Sequence, residues 1–111
     1  NMSLGGGGES SIMEEAVKYA HQKGVVIVAA AGNESRNSSS FPARYNHVIS
    51  VSALDSAGVK APYSNFGAGV DISAPGGDTS KGNMGGILQN TIDPENPDLD
   101  VFESYQGTSM A

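Results

Sequence analysis

The sequence predicts an α/β fold built on a largely parallel sheet. Three observations carry that expectation: a helical pattern over residues 11–23, an unbroken apolar run at Val25–Ala31 directly after it, and two later β-rich runs, Val48–Leu54 and Val70–Ala74, each closed by turn signals. Asn1-Met2-Ser3-Leu4 reads as the end of a strand, stopped by the four glycines Gly5–Gly8. Ser11-Ile12-Met13-Glu14 matches a capping box, in which hydroxyl and carboxylate satisfy free amides at a helix start. Ile12, Met13, Ala16, Val17 and Ala20 then recur at helical spacing and form one apolar stripe. Lys23 suits the negative end of the helix dipole, and Gly24 suits the left-handed position that ends a helix. Val25–Ala31 reads as a parallel strand buried on both faces. Asp55-Ser56-Ala57-Gly58 and Pro75-Gly76-Gly77 close the later strands. Strand, helix and strand in this order make a βαβ unit.

Composition narrows the function. The chain has 111 residues, no cysteine, and 6 Lys+Arg against 12 Asp+Glu, for a net charge of −6. Without Cys there is no disulfide framework, no cysteine zinc finger and no thiol nucleophile. Phosphate-backbone binding needs clustered Lys and Arg, so nucleic acid is not an expected partner. The longest apolar run, Val25–Ala31, falls far short of the roughly 20 residues that span a bilayer, so no membrane partner is expected. No basic segment followed by an apolar stretch opens the chain, so no signal peptide is expected in it. Lys81 is the last basic residue, and Asp93, Glu95, Asp98, Asp100 and Glu103 follow it. Asp93–Asp100, rich in proline and carboxylate, reads as an exposed acidic loop, and the acidic character extends from Ile92 to Ser104. A calcium loop is the alternative, although the spacing does not fit an EF-hand.

In an open α/β sheet, ligands sit beyond the carboxyl ends of the strands. Gly5–Gly8, Gly32-Asn33-Glu34 and the loop after Pro75 fall there. A nucleotide site at Gly5–Gly8 is one option, with Glu34 toward a ribose, but the G-x-G-x-x-G spacing fails in either frame. The other option is Gly107-Thr108-Ser109-Met110-Ala111, a serine among small residues entering an apolar segment. At a helix start, such a serine could act as a nucleophile beside an oxyanion stabilised by the dipole. Ala29-Ala30-Ala31 would form a flat wall beside a substrate, and Asn33 would project its amide off the strand end; read alone, Asn33 reads first as a turn residue that stabilises its own backbone.

Taken in order, Asn1-Met2-Ser3-Leu4-Gly5-Gly6, Val25–Asn33, Ser73-Ala74-Pro75-Gly76 and Gly107-Thr108-Ser109-Met110-Ala111 resemble the signatures of the subtilisin-like serine peptidases. The resemblance covers nearly the whole chain, with a longer segment between Gly77 and Ser104 than compact members have. It implies part of a three-layer, parallel-sheet catalytic domain. Ser109 would be the acylated nucleophile, and Asn33 would donate its amide to the tetrahedral oxyanion beside the Ser109 N–H. Ser3, Leu4 and Gly5 would pair with an extended polypeptide substrate. Ala30, Ala31 and Gly32 would line the pocket for the residue preceding the cut, with Ser40 near its floor and Glu34 at its rim. The Phe41–Pro42 peptide would be cis. The carbonyls of Ala43, Tyr45 and Val48 would form a weak site for calcium or a monovalent cation; no organic cofactor is implied.

A serine alkoxide also needs a base and an orienting carboxylate. His21 and His47 stand outside the family's His motif and read as surface histidines. Asp78-Thr79-Ser80 resembles the Asp motif but comes after Asn33, the wrong order for this family. Gln106 stands where Asn is commoner, touching only a minor substrate contact. The remaining partner implied is the rest of the same domain, carrying Asp, His and a buried helix after Ser109, and the 111 residues alone are expected to be inactive. The family implies secretion. A non-catalytic relative that only binds peptides is the alternative.

Overall fold

A computed structural model describes residues 1–111, the side chain of Lys81 excepted. Its regular elements are a helix, α1 (Ser11–Gln22), three strands, β1 (Ile27–Ala30), β2 (Val48–Leu54) and β3 (Ile72–Pro75), and a hairpin of β4 (Ile87–Ile92) and β5 (Asp100–Tyr105), preceded by two short 3-10 turns, Thr79–Lys81 and Asn83–Gly85. β1, β2 and β3 lie side by side in sequence order, all parallel, with Ile27 opposite Val48 and Val51 opposite Ile72. Met2 extends the sheet past β1: its N–H donates to Val28 O at 2.8 Å, and its carbonyl accepts from Ala30 N at 3.2 Å. Met2, α1 and β1 thus complete the expected βαβ arrangement, and the fold is α/β with a parallel sheet, as the sequence predicts.

Of the apolar stripe expected on α1, only Val17 is buried against the sheet, where it joins Ala29, Ala43, Tyr45 and Val48 in the core, flanked by Met2, Ile27 and Phe41, while Ile12, Met13 and Ala16 stay exposed. Tyr45 fastens the helix entrance: its hydroxyl donates to Ser10 O at 3.0 Å and accepts from Ser10 N at 2.7 Å. The Phe41 and Tyr45 rings pack at 4.6 Å, and Phe41–Pro42 is cis. No helix among the described residues is long and apolar enough to cross a membrane.

Four local expectations are corrected. The helix cap is Ser10, not Ser11. Ser10 takes the extended conformation and its hydroxyl accepts from Met13 N at 3.4 Å, while Glu14 instead pairs with Lys18 at 2.7 Å one turn along. The strand read at Val25–Ala31 is regular only over Ile27–Ala30. Gly24, at φ +79°, reverses the chain and Val25 N returns to Ala20 O, so Val25 and Val26 serve the connection and stay 51% and 72% exposed. β3 begins at Ile72, because Val70 N closes a turn onto Gly67 O. The acidic loop read from Ile92 to Ser104 is in large part a β-hairpin. Only Asp93–Leu99 forms the connection, closed by Asp93 N donating to Leu99 O at 2.9 Å, with Asp100–Tyr105 antiparallel to Ile87–Ile92.

Candidate functional site

The site is assembled beyond the carboxyl ends of the parallel strands. β1 delivers Ala31, Gly32 and Asn33, β3 delivers Gly76 and Gly77, and β5 delivers Gly107, Thr108 and Ser109. Gly107 N donates to Gly76 O at 2.9 Å and joins the last two. Tyr63, on the connection from β2 to β3, braces this junction with its hydroxyl 2.9 Å from Gly76 O and 2.7 Å from Gly77 O; burial pushes its phenol pKa up. Residues 108–110 form one turn closed by Met110 N onto Gly107 O.

Thr108 connects the pieces. It is buried, its N–H donates to Asn33 Oδ1 at 2.9 Å, and its hydroxyl donates to the same oxygen at 2.8 Å. Thr108 Oγ1 also accepts from Gly32 N at 3.2 Å. An amide oxygen that already accepts two donors fixes which end of the side chain is which. Asn33 must therefore present its NH₂ away from Thr108. Ser109 sits beside Ser3 in a reciprocal pair: Ser3 Oγ donates to Ser109 O at 3.0 Å, and Ser109 Oγ donates to Ser3 O at 3.4 Å. Ser3, Ala30, Thr108 and Ser109 line one depression. Leu4 and Gly5 line the adjoining one with Phe41 and Pro42, and Gly6 N donates to Phe41 O at 3.2 Å.

A second network, centred on a buried asparagine, lies under Gly32. Asn65 is fully buried; its amide nitrogen donates to Ala31 O at 2.9 Å, Glu34 Oε2 at 2.8 Å and Ser40 Oγ at 3.3 Å. Its oxygen accepts from Glu34 N at 3.1 Å and Arg36 N at 3.0 Å. Ser40 Oγ also donates to Glu34 Oε2 at 3.1 Å. The Asn65 amide, then the Ser40 hydroxyl and local backbone N–H groups, hold the Glu34 carboxyl below its ordinary pKa against a partial burial cost. Gly32 has φ +110°, and a Cβ there would stand 2.5 Å from Ser40 Oγ and 2.6 Å from Glu34 Oε2, with Asn65 Nδ2 closer still. Only glycine fits where the chain passes over this network.

The structure thus brings Ser109, Asn33, Ser3 and Ala30–Gly32 together, with Ser40 joined through Glu34. It keeps both histidines apart from them. His21, near the end of α1, and His47, just before β2, stack on each other at 3.9 Å near the amino ends of the strands. Asp78 caps the first 3-10 turn by accepting from Ser80 N at 2.9 Å, and Gln106 Oε1 accepts from Thr79 N and Thr79 Oγ1 at 2.6 and 2.8 Å, which makes it a brace within the chain. Ala43 and Tyr45 lie on the turn after cis Pro42 and Val48 opens β2, with Tyr45 O accepting from Val48 N at 3.3 Å. Their carbonyls are neutral oxygen donors, suited to a weakly held hard cation. Among the described residues, no three His, Asp or Glu side chains converge to hold a metal ion. Sequence reasoning missed Thr108 and Asn65. Thr108 stood inside the Gly-Thr-Ser motif and its position beside Ser109 was the available signal; Asn65 had none.

The family model described as the Subtilase family matches residues 1–111. The chain is 46% identical over 113 residues to an extracellular protease of Xanthomonas campestris and 39% identical over 111 residues to subtilisin BL of Lederbergia lenta, in both cases over 100% of its own length. It spans 18% and 36%, respectively, of those proteins. Among solved structures, a protease from Pseudoalteromonas arctica superposes with a TM-score of 0.93 at 41% identity, over 100% of this chain and 34% of that one. Sequence and fold agree with these likenesses: the chain belongs to the subtilase family of subtilisin-like peptidases.

Proposed function

We propose that this chain supplies the nucleophile and the oxyanion-stabilising side of a serine endopeptidase. The observation that supports this reading is the double anchoring of Asn33 Oδ1 by Thr108, the residue before Ser109, which leaves the Asn33 NH₂ facing away from Thr108. In the proposed reaction, Ser109 Oγ attacks the carbonyl carbon of a polypeptide substrate. The resulting oxyanion takes hydrogen bonds from Asn33 Nδ2 and the Ser109 N–H, donors already oriented before charge develops. Ser3, Leu4 and Gly5 hold the substrate main chain as an added strand. The preceding side chain enters between Ala30–Gly32 and Ser40, where an ionised Glu34 favours a basic over an acidic residue.

The base and its orienting carboxylate come from the rest of the same catalytic domain, since His21 and His47 are occupied with each other away from Ser109. The carbonyls of Ala43, Tyr45 and Val48 would hold calcium or a monovalent cation, which would tie the turn after Pro42 to the start of β2. Secretion of the parent protein is part of the proposal, supported by the extracellular protease among the relatives.

A fluorophosphonate probe tests the reading. In the longer protein that contains this chain, rapid labelling of Ser109 is expected, with Ser109→Ala abolishing both labelling and hydrolysis while thermal stability is retained. The 111 residues alone are expected to label far more slowly. Hydrolysis retained by Ser109→Ala would remove Ser109 as nucleophile. A longer protein that binds peptides without labelling would leave the groove as a binding surface only.

A further inference from the structure

The β4–β5 hairpin runs directly into the Ser109 turn, yet the reading above leaves most of it unused. Its register places Leu88 opposite Ser104, Asn90 opposite Phe102 and Ile92 opposite Asp100, so these residues share one face. On that face Leu88, Ile92 and Phe102 are 65%, 55% and 70% exposed, while Ile87 and Val101 on the other face are half-buried. A two-stranded ribbon gains little stability alone, and an apolar face that it leaves in water marks an interaction site. Among the described residues β4 and β5 pair only with each other, so each also presents a main-chain edge. The connection and the start of β5 add Asp93, Glu95, Asp98 and Asp100, and no Lys or Arg follows residue 81.

We propose that this hairpin face is an extended docking surface for the polypeptide substrate, gripping an apolar, basic stretch of it outside the residues next to the cut bond. The inference rests on the peptidase reading. Leu88, Ile92 and Phe102 take the apolar side chains, a free strand edge takes the substrate main chain, and the acidic tip draws in Lys or Arg. Charge argues against a second copy as the occupant, because two such tips would bring like charges together. Continuity argues for the substrate: β5 ends at Tyr105, and Gly107, two residues on, is hydrogen-bonded to Gly76 at the rim of the site.

The test uses the full-length protein and two variants, Leu88→Ser with Phe102→Ser, and Asp98→Asn with Asp100→Asn. Each is assayed on a tetrapeptide anilide too short to reach the hairpin, on a long synthetic peptide of Leu and Lys, and on its Leu and Glu counterpart. Tetrapeptide kcat/KM is expected to stay unchanged. For the Leu/Lys peptide, kcat/KM is expected to fall about tenfold in the apolar variant, mainly through KM, and by less in the charge variant, with the difference shrinking in high salt. The Leu/Glu peptide is expected to be the poorer long substrate of the wild type. Unchanged Leu/Lys cleavage in both variants would overturn the docking surface. So would a parallel loss on all substrates with a lowered melting temperature, which would mean that the protein's own fold covers the face, or a shift from dimer to monomer on gel filtration. A wild type that fails to cleave the tetrapeptide would instead remove the peptidase reading.

Discussion

Thr108→Val keeps the shape of residue 108 and removes only its hydroxyl. Two contacts disappear with it. Gly32 N loses its acceptor at 3.2 Å in a buried setting, and Asn33 Oδ1 loses one of its two donors. A stranded buried donor costs about 1–3 kcal/mol and a lost neutral hydrogen bond about 1 kcal/mol, so the expected destabilisation is about 2–4 kcal/mol, with little cavity term. The remaining Thr108 N–H still holds Asn33 Oδ1 at 2.9 Å, so the amide is loosened rather than released. In the proposed reaction the oxyanion forms only once Ser109 has attacked, so loosening should lower kcat about tenfold and leave KM nearly unchanged. Thr108→Ser retains the hydroxyl and should recover most of both losses. Urea unfolding of the full-length protein gives the stability change, and steady-state hydrolysis of a short peptide gives the kinetic split. Equal stability and equal kcat in Thr108→Val would refute the reasoning, as would a Thr108→Ser variant that behaves like valine.

Two further outcomes follow from the network under Gly32. Glu34 has a depressed carboxyl pKa when folded, chiefly through Asn65, so its contribution to stability is present above the ordinary Glu pKa and is lost as pH falls through the depressed value. Asn65→Ala should raise the Glu34 titration midpoint followed by NMR and flatten the acid side of the stability profile; an unmoved midpoint would show that Asn65 does not set it. Gly32→Ala should destabilise by at least the 1–3 kcal/mol typical of a strained backbone conformation at φ +110°, with further loss as the new Cβ displaces Ser40 and Glu34. Thermal unfolding with a wild-type midpoint would contradict that.

Much of the fold was legible because local signals agreed with one another. Val48–Leu54 is bounded on one side by a turn and on the other by Asp55-Ser56-Ala57-Gly58, and β2 occupies those seven residues. The helix was legible but its start was not, since Ser10 and Ser11 are equally good caps and only the contact of Tyr45 with Ser10 separates them. The hairpin escaped because Leu88-Gln89-Asn90-Thr91-Ile92 alternates weakly and the prolines and acids after it dominate the pattern. At the site, the order of the motifs placed Ser109 and Asn33 in one place. Thr108 and Asn65 act across 75 and 31 residues of sequence, through pairings that exist only once the strands have brought their ends together. Local patterning carries no trace of such contacts, which depend on which polar groups the packing leaves facing each other.

The tether from residue 108 to Asn33 also governs how the site responds to thermal motion. Asn33 leaves β1 and Ser109 follows β5, two segments that are remote in sequence and belong to different sheets. If each breathed independently, the gap between hydroxyl and amide would vary with their combined displacement. With Asn33 bound twice to the residue immediately before Ser109, a shift of the Ser109 turn carries the amide along with it. Their relative position is then set by two short hydrogen bonds rather than by the stiffness of the whole fold. The surrounding loops can fluctuate or diverge in sequence while the spacing at the centre is preserved.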